Sequence, residues 1–184
     1  LAHKDRLAIE RILGRHGVKL SVDVSPVRRS SMACVALPTC PLAITEAERV
    51  LPGVIDRLER ELEGLGLSDE EFSVRMTGCP NGCARPYNGD VGLVGRAVGK
   101  YAIYVGGRQL GDRLAFLYRD QVPLEEIVPT LVPVLDSFKE EGLDGESLGD
   151  FCHRKGATGL AGGTAAECPV TGTEGLSLPV LSGT

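Results

Sequence analysis

What the sequence lacks narrows the field first. It has no run of about eighteen apolar residues, the length a membrane-spanning helix needs, so a span is not expected. It opens with no charged-then-apolar leader, so secretion is not expected either. Positive charge is in deficit: 20 Lys and Arg stand against 25 Asp and Glu, a net charge of -5. A general nucleic-acid binder neutralises phosphates and favours a basic domain, which sets that class aside. The chain begins with Leu1 rather than methionine, and we therefore expect a fragment or processed piece of a cytoplasmic protein. At 184 residues it is long enough to bury a core of its own.

What the sequence does have is cysteine in an informative arrangement. Four of its 6 cysteines form two tight pairs. Cys34 and Cys40 stand as C-x5-C within Ala33-Cys34-Val35-Ala36-Leu37-Pro38-Thr39-Cys40-Pro41. Cys79 and Cys83 stand as C-x3-C within Thr77-Gly78-Cys79-Pro80-Asn81-Gly82-Cys83-Ala84-Arg85-Pro86-Tyr87. Clustered cysteines in a chain without secretory context favour a metal centre over disulfides. Thiolates converging from two loops suit a soft centre, and a cuboidal iron-sulfur cluster is its natural occupant. Pro80 presets a turn, and Gly82 lets backbone pass close to a bulky inorganic core. A structural zinc module built on the four cysteines and a small one-electron carrier are the competing readings. C-x5-C is wide for zinc, whose pairs usually enclose fewer residues.

The rest of the chain supplies a scaffold. Residues 5–16 place Leu7, Ile9, Ile12 and Leu13 at helical spacing, closed by Gly14 and Gly17. Residues 19–24 alternate as a strand that Pro26 breaks and that leads into the first cysteine loop, where Arg28 and Arg29 stand as cations ahead of Cys34. Pro41 fits a first helical turn, Thr45 and Glu48 read as a capping box, and a helix runs from Pro52 through Leu65. Residues 72–77 alternate as a strand that delivers Cys79. Two glycine-rich strands follow, 90–95 and 100–107. The spacing between Gly95 and Lys100 is too short for a phosphate loop, and Tyr101 stands where a magnesium-binding hydroxyl belongs, so no nucleotide site is expected there. A strand over 114–122 leads to a helix from Pro123, in which Pro129 and Pro133 predict a kink or break, and 147–154 adds a short helical turn. Cys152 and His153 lack partners at metal-binding spacing and read as buried or incidental. From Gly156 to Thr184 the chain has seven glycines, no Lys or Arg and no aromatic residue, which predicts a flexible tail with Cys168 as a free thiol. This order predicts an α+β domain: a mixed or antiparallel sheet, helices on one face, both cysteine loops at one end.

The two cysteine motifs, thirty-eight residues apart, resemble the C-terminal half of the siroheme and [4Fe-4S] nitrite/sulfite reductase family, on its assimilatory sulfite reductase side, from about residue 5 to residue 155. The resemblance implies a nitrite/sulfite reductase 4Fe-4S domain-like fold over 26–155, the end of a ferredoxin-like domain over 1–25, and a tail over 156–184. It implies a [4Fe-4S] cluster on Cys34, Cys40, Cys79 and Cys83, with Cys83 also bridging to the siroheme iron as the catalytic link. It places Asn81 and Thr77 on the siroheme side. Arg28 is a further candidate, since siroheme is a polycarboxylate that guanidinium groups pair with well. The implied reaction is the six-electron reduction of sulfite to sulfide, with ferredoxin or a flavoprotein as electron donor. Nitrite reductases share the second motif, which keeps a ferredoxin-type nitrite reductase fragment as the alternative. The anion-binding cations belong mainly to the family's N-terminal half, the expected missing partner, so this chain alone is expected to be inactive.

Overall fold

The computed structural model describes residues 3–160. Of the tail expected over 156–184, residues 161–184 with Cys168 lie outside the described residues, whereas 156–159 belong to the last helical element, past a kink at Gly156 (φ 66), and Leu160 is buried. Strands β1 (Met32–Ala33), β2 (Val74–Thr77), β3 (Val91–Ala97), β4 (Lys100–Val105) and β5 (Phe116–Pro123) stand in that order in a 5-stranded sheet. β1 and β3 both run parallel to β2, whereas β3, β4 and β5 form an antiparallel meander. The helices are α1 (Arg6–Arg15), α2 (Pro26–Ser30), α3 (Leu51–Leu65), α4 (Ile127–Glu141) and α5 (Leu148–Gly159). The architecture is α+β with a mixed sheet, as the sequence predicts.

Periodicity explains which face the helices cover. In α3, Leu51, Val54, Ile55, Leu58 and Leu62 stand at i, i+3, i+4, i+7 and i+11 on one helical face and all are buried, and Gly66, left-handed at φ 74, ends the helix. They share one core with Val74, Met76, Val91, Leu93, Ile103 and Val105 of the sheet and with Leu131, Leu135 and Phe138 of α4. Phe138 meets Phe151 of α5 edge-on at 5.3 Å. Each such aliphatic side chain contributes about 1.5–3 kcal/mol on burial, so this packing fixes the sheet as a platform. The alternate strand positions point away from it. Arg75, Gly92, Tyr104 and Leu117 are register partners in one row across β2 to β5, on the opposite face.

Four local expectations are corrected. Residues 19–24 do not form a strand: Ser21–Asp23 is a 3-10 turn in which the Asp23 carboxylate accepts from the Leu20 N–H at 3.3 Å. α2 replaces an expected loop, because the Ser25 hydroxyl caps the Arg28 N–H at 3.2 Å and Pro26 suits the first turn. Thr45 is no helix cap, for α3 begins only at Leu51. Its hydroxyl lies 3.1 Å from that of Tyr101 and accepts from the Gly99 N–H at 3.1 Å. α4 runs on through Pro133 without a break. The carbonyl that Pro133 leaves without a partner belongs to exposed Pro129, where water can reach it.

Candidate functional site

The parallel pairing of β1 with β2 decides where the cysteines go. Ala33 is in register with Met76, so both strands leave the sheet at the same end, Cys34 one residue later and Cys79 three. The ladder continues into the first loop: the Cys34 N–H donates to the Met76 carbonyl at 3.0 Å. The Gly78 N–H then donates to Cys34 Sγ at 3.4 Å, so the residue before Cys79 touches the sulfur of the first pair. Such N–H to sulfur bonds stabilise a thiolate and tune the centre it holds.

The first loop wraps around Gly78. Its carbonyl accepts from the N–H groups of Ile44 at 2.8 Å and Thr45 at 3.1 Å, while the Cys34 carbonyl accepts from the Glu48 N–H at 3.1 Å. Between them Ala36 is fully buried at φ 48, the Leu37–Pro38 peptide is cis, and the Cys40 N–H donates to the Ala36 carbonyl at 2.7 Å. A Cβ on Gly78 would stand 2.4 Å from the Thr45 carbonyl oxygen and 2.6 Å from the Ala36 Cβ. Glycine is what lets the two loops touch.

The second loop lies over the sheet face opposite the helices. Its 3-10 turn, Pro86–Asn88, sits on Gly92 of β3, where a Cβ would be 2.1 Å from the Pro86 carbonyl oxygen. Tyr87 folds back across the loop, its hydroxyl donating to the Pro80 carbonyl at 3.2 Å and its ring meeting Tyr104 edge-on at 5.1 Å. Burial and the neighbouring Tyr104 push the Tyr87 phenol up, so it stays a donor. Arg96 donates to the Tyr104 hydroxyl at 2.9 Å, and its buried Nε lies 3.3 Å from Asp120 without a hydrogen bond.

The predicted site residues divide accordingly. Cys79 is buried, Cys34 and Cys40 are half-buried, and Cys83 is exposed at the outer end of its loop beside exposed Asn81. All of these, with Cys152, are free thiols rather than disulfides. Thr77 is fully buried, its hydroxyl directed to the Leu93 carbonyl at 3.5 Å. Arg28 is engaged elsewhere: its Nε donates to Glu59 at 2.9 Å and its Nη2 to Asp56 at 2.6 Å, and this guanidinium holds the Glu59 carboxyl below its usual range. Cys152 is fully buried in the helix-side core, where burial pushes its thiol up to about 12, and His153 beside it is exposed. Among the described residues no three His, Cys, Asp or Glu side chains converge on one point as a single ion requires. No helix among them is long and apolar enough to cross a membrane. Tyr87, Tyr104 and Arg96 were not legible as site residues; Tyr87 closes the second motif, but only the fold shows that it turns back over it.

Residues 25–162 match the family model for the nitrite and sulphite reductase 4Fe-4S domain, three quarters of the chain. The chain belongs to that family. It is 48% identical over 151 residues to the sulfite reductase [NADPH] hemoprotein beta-component of Acidithiobacillus ferrooxidans, covering 82% of this chain and 27% of the relative. It is 46% identical over 153 residues to the protein of the same name from Staphylococcus carnosus, covering 83% and 27%. The chain thus spans about a quarter of the length of the curated relatives it matches. The solved structure of Mycobacterium tuberculosis NirA protein superposes with a TM-score of 0.69 at 27% identity, over 82% of this chain and 30% of that one.

Proposed function

We propose that this chain is the cluster-bearing part of a sulfite reductase. Cys34, Cys40, Cys79 and Cys83 hold a [4Fe-4S] cluster, and Cys83 also faces siroheme. The observation that carries the reading is the contact between the Gly78 N–H and Cys34 Sγ at 3.4 Å, which joins the two cysteine pairs at one end of the parallel strands. The donor set fits: soft thiolates from two loops, a glycine cradle between them, and exposed Cys83 set apart from buried Cys79. When bound, the cluster and siroheme supply the electron transfer and the iron that takes sulfite through six-electron reduction.

The chain's own residues position and insulate. Buried Cys79 and half-buried Cys34 and Cys40 keep their side of the cluster away from water, and exposed Cys83 and Asn81 present the side open to a second cofactor. Thr77 contributes through its buried bond to the Leu93 carbonyl, as a wall of that side rather than a contact. For Arg28 to serve a siroheme carboxylate it would have to leave Glu59 and Asp56; Arg85 and Arg96, in and beside the second loop, are better placed. The relatives' names describe a beta-component of an NADPH enzyme, and for this chain we infer electrons from a flavoprotein partner, in the cytoplasm. The rest of the active enzyme, with most of the anion-binding cations, is a further partner.

The test is anaerobic reconstitution of the full chain with iron and sulfide. Bound iron and acid-labile sulfide in equal amounts are expected, and both should be lost in Cys34→Ser and Cys79→Ser. Zinc retained in place of iron, with no labile sulfide, would overturn the reading. Loaded with both cofactors, the chain alone is expected not to release sulfide from sulfite under a chemical reductant.

A further inference from the structure

Tyr87 is tied to the second cysteine loop at two points and to the chain entering β5 at a third. Its hydroxyl donates to the Pro80 carbonyl at 3.2 Å. Its ring edge packs on Gly82, where a Cβ would stand 3.1 Å from the Tyr87 Cε2 and the backbone is left-handed at φ +68. Its own carbonyl accepts from the Ala115 N–H at 2.7 Å, which binds the strap to the chain entering β5. Beneath it Tyr104 provides an edge-on rest at 5.1 Å and 86°, and Arg96 fixes Tyr104 by a 2.9 Å bond to its hydroxyl. The segment so clamped, 80–82, joins buried Cys79 to exposed Cys83. Its internal bonds are few: the Gly82 N–H reaches the Cys79 carbonyl at 3.5 Å and the Arg85 N–H the Gly82 carbonyl at 2.7 Å. An exposed cysteine on a turn with so little bonding of its own has its direction set by whatever covers the turn.

We propose that Tyr87 is a positioning residue for Cys83: it pins the Pro80–Gly82 turn against the sheet and so fixes the direction in which the Cys83 thiolate leaves the loop. This rests on the reading of Cys83 as a ligand shared by cluster and siroheme, but the pinning itself is a property of the chain without cofactors. The hydroxyl and the ring act separately. The hydroxyl holds Pro80 by a neutral hydrogen bond, and the ring, wedged between Gly82 and Tyr104, supplies the larger share through aromatic contact. Replacing the ring by an aliphatic side chain removes the edge-on pair and leaves the turn free to lift, with Cys83 moving and Cys79 held in place.

The experiment uses the full chain with Tyr87→Phe and Tyr87→Leu. Hydrogen exchange of the cofactor-free protein is read over peptides covering 79–85 and over α3. The loop is expected to exchange about threefold faster in Tyr87→Phe, from loss of one hydrogen bond. In Tyr87→Leu the acceleration is expected to be on the order of tenfold, from loss of the aromatic pair as well. α3 should be unchanged in both. Loop exchange at the parental rate in Tyr87→Leu, or α3 accelerating as much as the loop, overturns the proposal, the second by making Tyr87 a general stability residue. The reconstituted proteins are then compared by electron paramagnetic resonance of the reduced cluster. Both variants are expected to bind parental amounts of iron and to give shifted spectra, with Phe closer to the parent than Leu. Parental spectra in both would show that the turn does not aim Cys83. A parent that binds no cluster would defeat the ligand reading, and the exchange result would still decide whether Tyr87 pins the turn.

Discussion

The two cysteine loops are built differently. The first, residues 34–45, is held by main chain: Cys34 extends the ladder of β1 onto β2, and the Ile44 and Thr45 N–H groups close on the Gly78 carbonyl. In the second, residues 78–89, the backbone bonds beyond Gly78 mostly close turns within the loop, from Gly82 to Cys79, Arg85 to Gly82, Asn88 to Arg85 and Gly89 to Pro86. Its seat on the sheet comes largely from side chains and glycines, with Tyr87 above and Gly92 beneath. Main-chain anchoring tolerates most substitutions, because the bonds do not depend on side-chain identity. Side-chain seating concentrates the dependence in a few residues. A site assembled from one loop of each kind has a fixed half and an adjustable half, and exposed Cys83 belongs to the adjustable one.

Gly78 is where the two loops meet, so Gly78→Ala breaks the comparison itself. The added methyl meets the Thr45 carbonyl oxygen and the Ala36 Cβ at 2.4 and 2.6 Å, and both neighbours are fixed. A loss of about 3 kcal/mol in chemical denaturation is expected, with little iron retained on reconstitution. A variant within about 1 kcal/mol of the parent would mean that the loops separate without resistance. Thr45→Val touches the first loop alone. It leaves the Gly99 N–H without its acceptor, while the Tyr101 hydroxyl keeps its 2.7 Å bond to the Glu46 carbonyl. About 1 kcal/mol of stability should be lost, with exchange of the second loop unaltered.

Asp150→Asn touches neither loop and sets the baseline. Arg108 and Arg113 hold the Asp150 carboxyl down, to about 2 from an ordinary 3.8. A carboxylate with a depressed folded-state value stabilises the protein above its ordinary value, and that stability is lost as pH falls from about 3.8 through about 2. The pairs are partly exposed, which limits the effect to below about 1 kcal/mol. Acid titration of parent and variant should therefore show a small difference near neutral pH that closes in that window. A gap that persisted below it would assign the loss to something other than the charge.

The cysteine spacing, the long helices and the strand bringing Cys79 could all be read in the sequence, because each rests on a local pattern. Long-range pairing could not. β1 is two residues long and carries no alternation, yet its parallel pairing with β2 puts Cys34 beside Gly78. Thr45 looked like a cap because its spacing to Glu48 is right; its hydroxyl goes to Tyr101 and Gly99, more than fifty residues away. The charge that drew attention to Arg28 is real, but Asp56 and Glu59 of α3 already occupy it. Helix α2 was missed, although Ser25 followed by Pro26 is an ordinary helix start.

Cys152 gives the molecule an internal clock. It is fully buried with its thiol held up to about 12, whereas the loop cysteines are partly or wholly exposed apart from Cys79. Only thiolate is alkylated, so at neutral pH Cys152 reacts through excursions that open the core around Phe151 and Leu148. Its labelling rate counts those excursions, and the rates at Cys34, Cys40 and Cys83 count motions of the loops. One modification time course, read residue by residue by mass spectrometry, thus separates breathing of the scaffold from breathing of the site in a single unsubstituted protein.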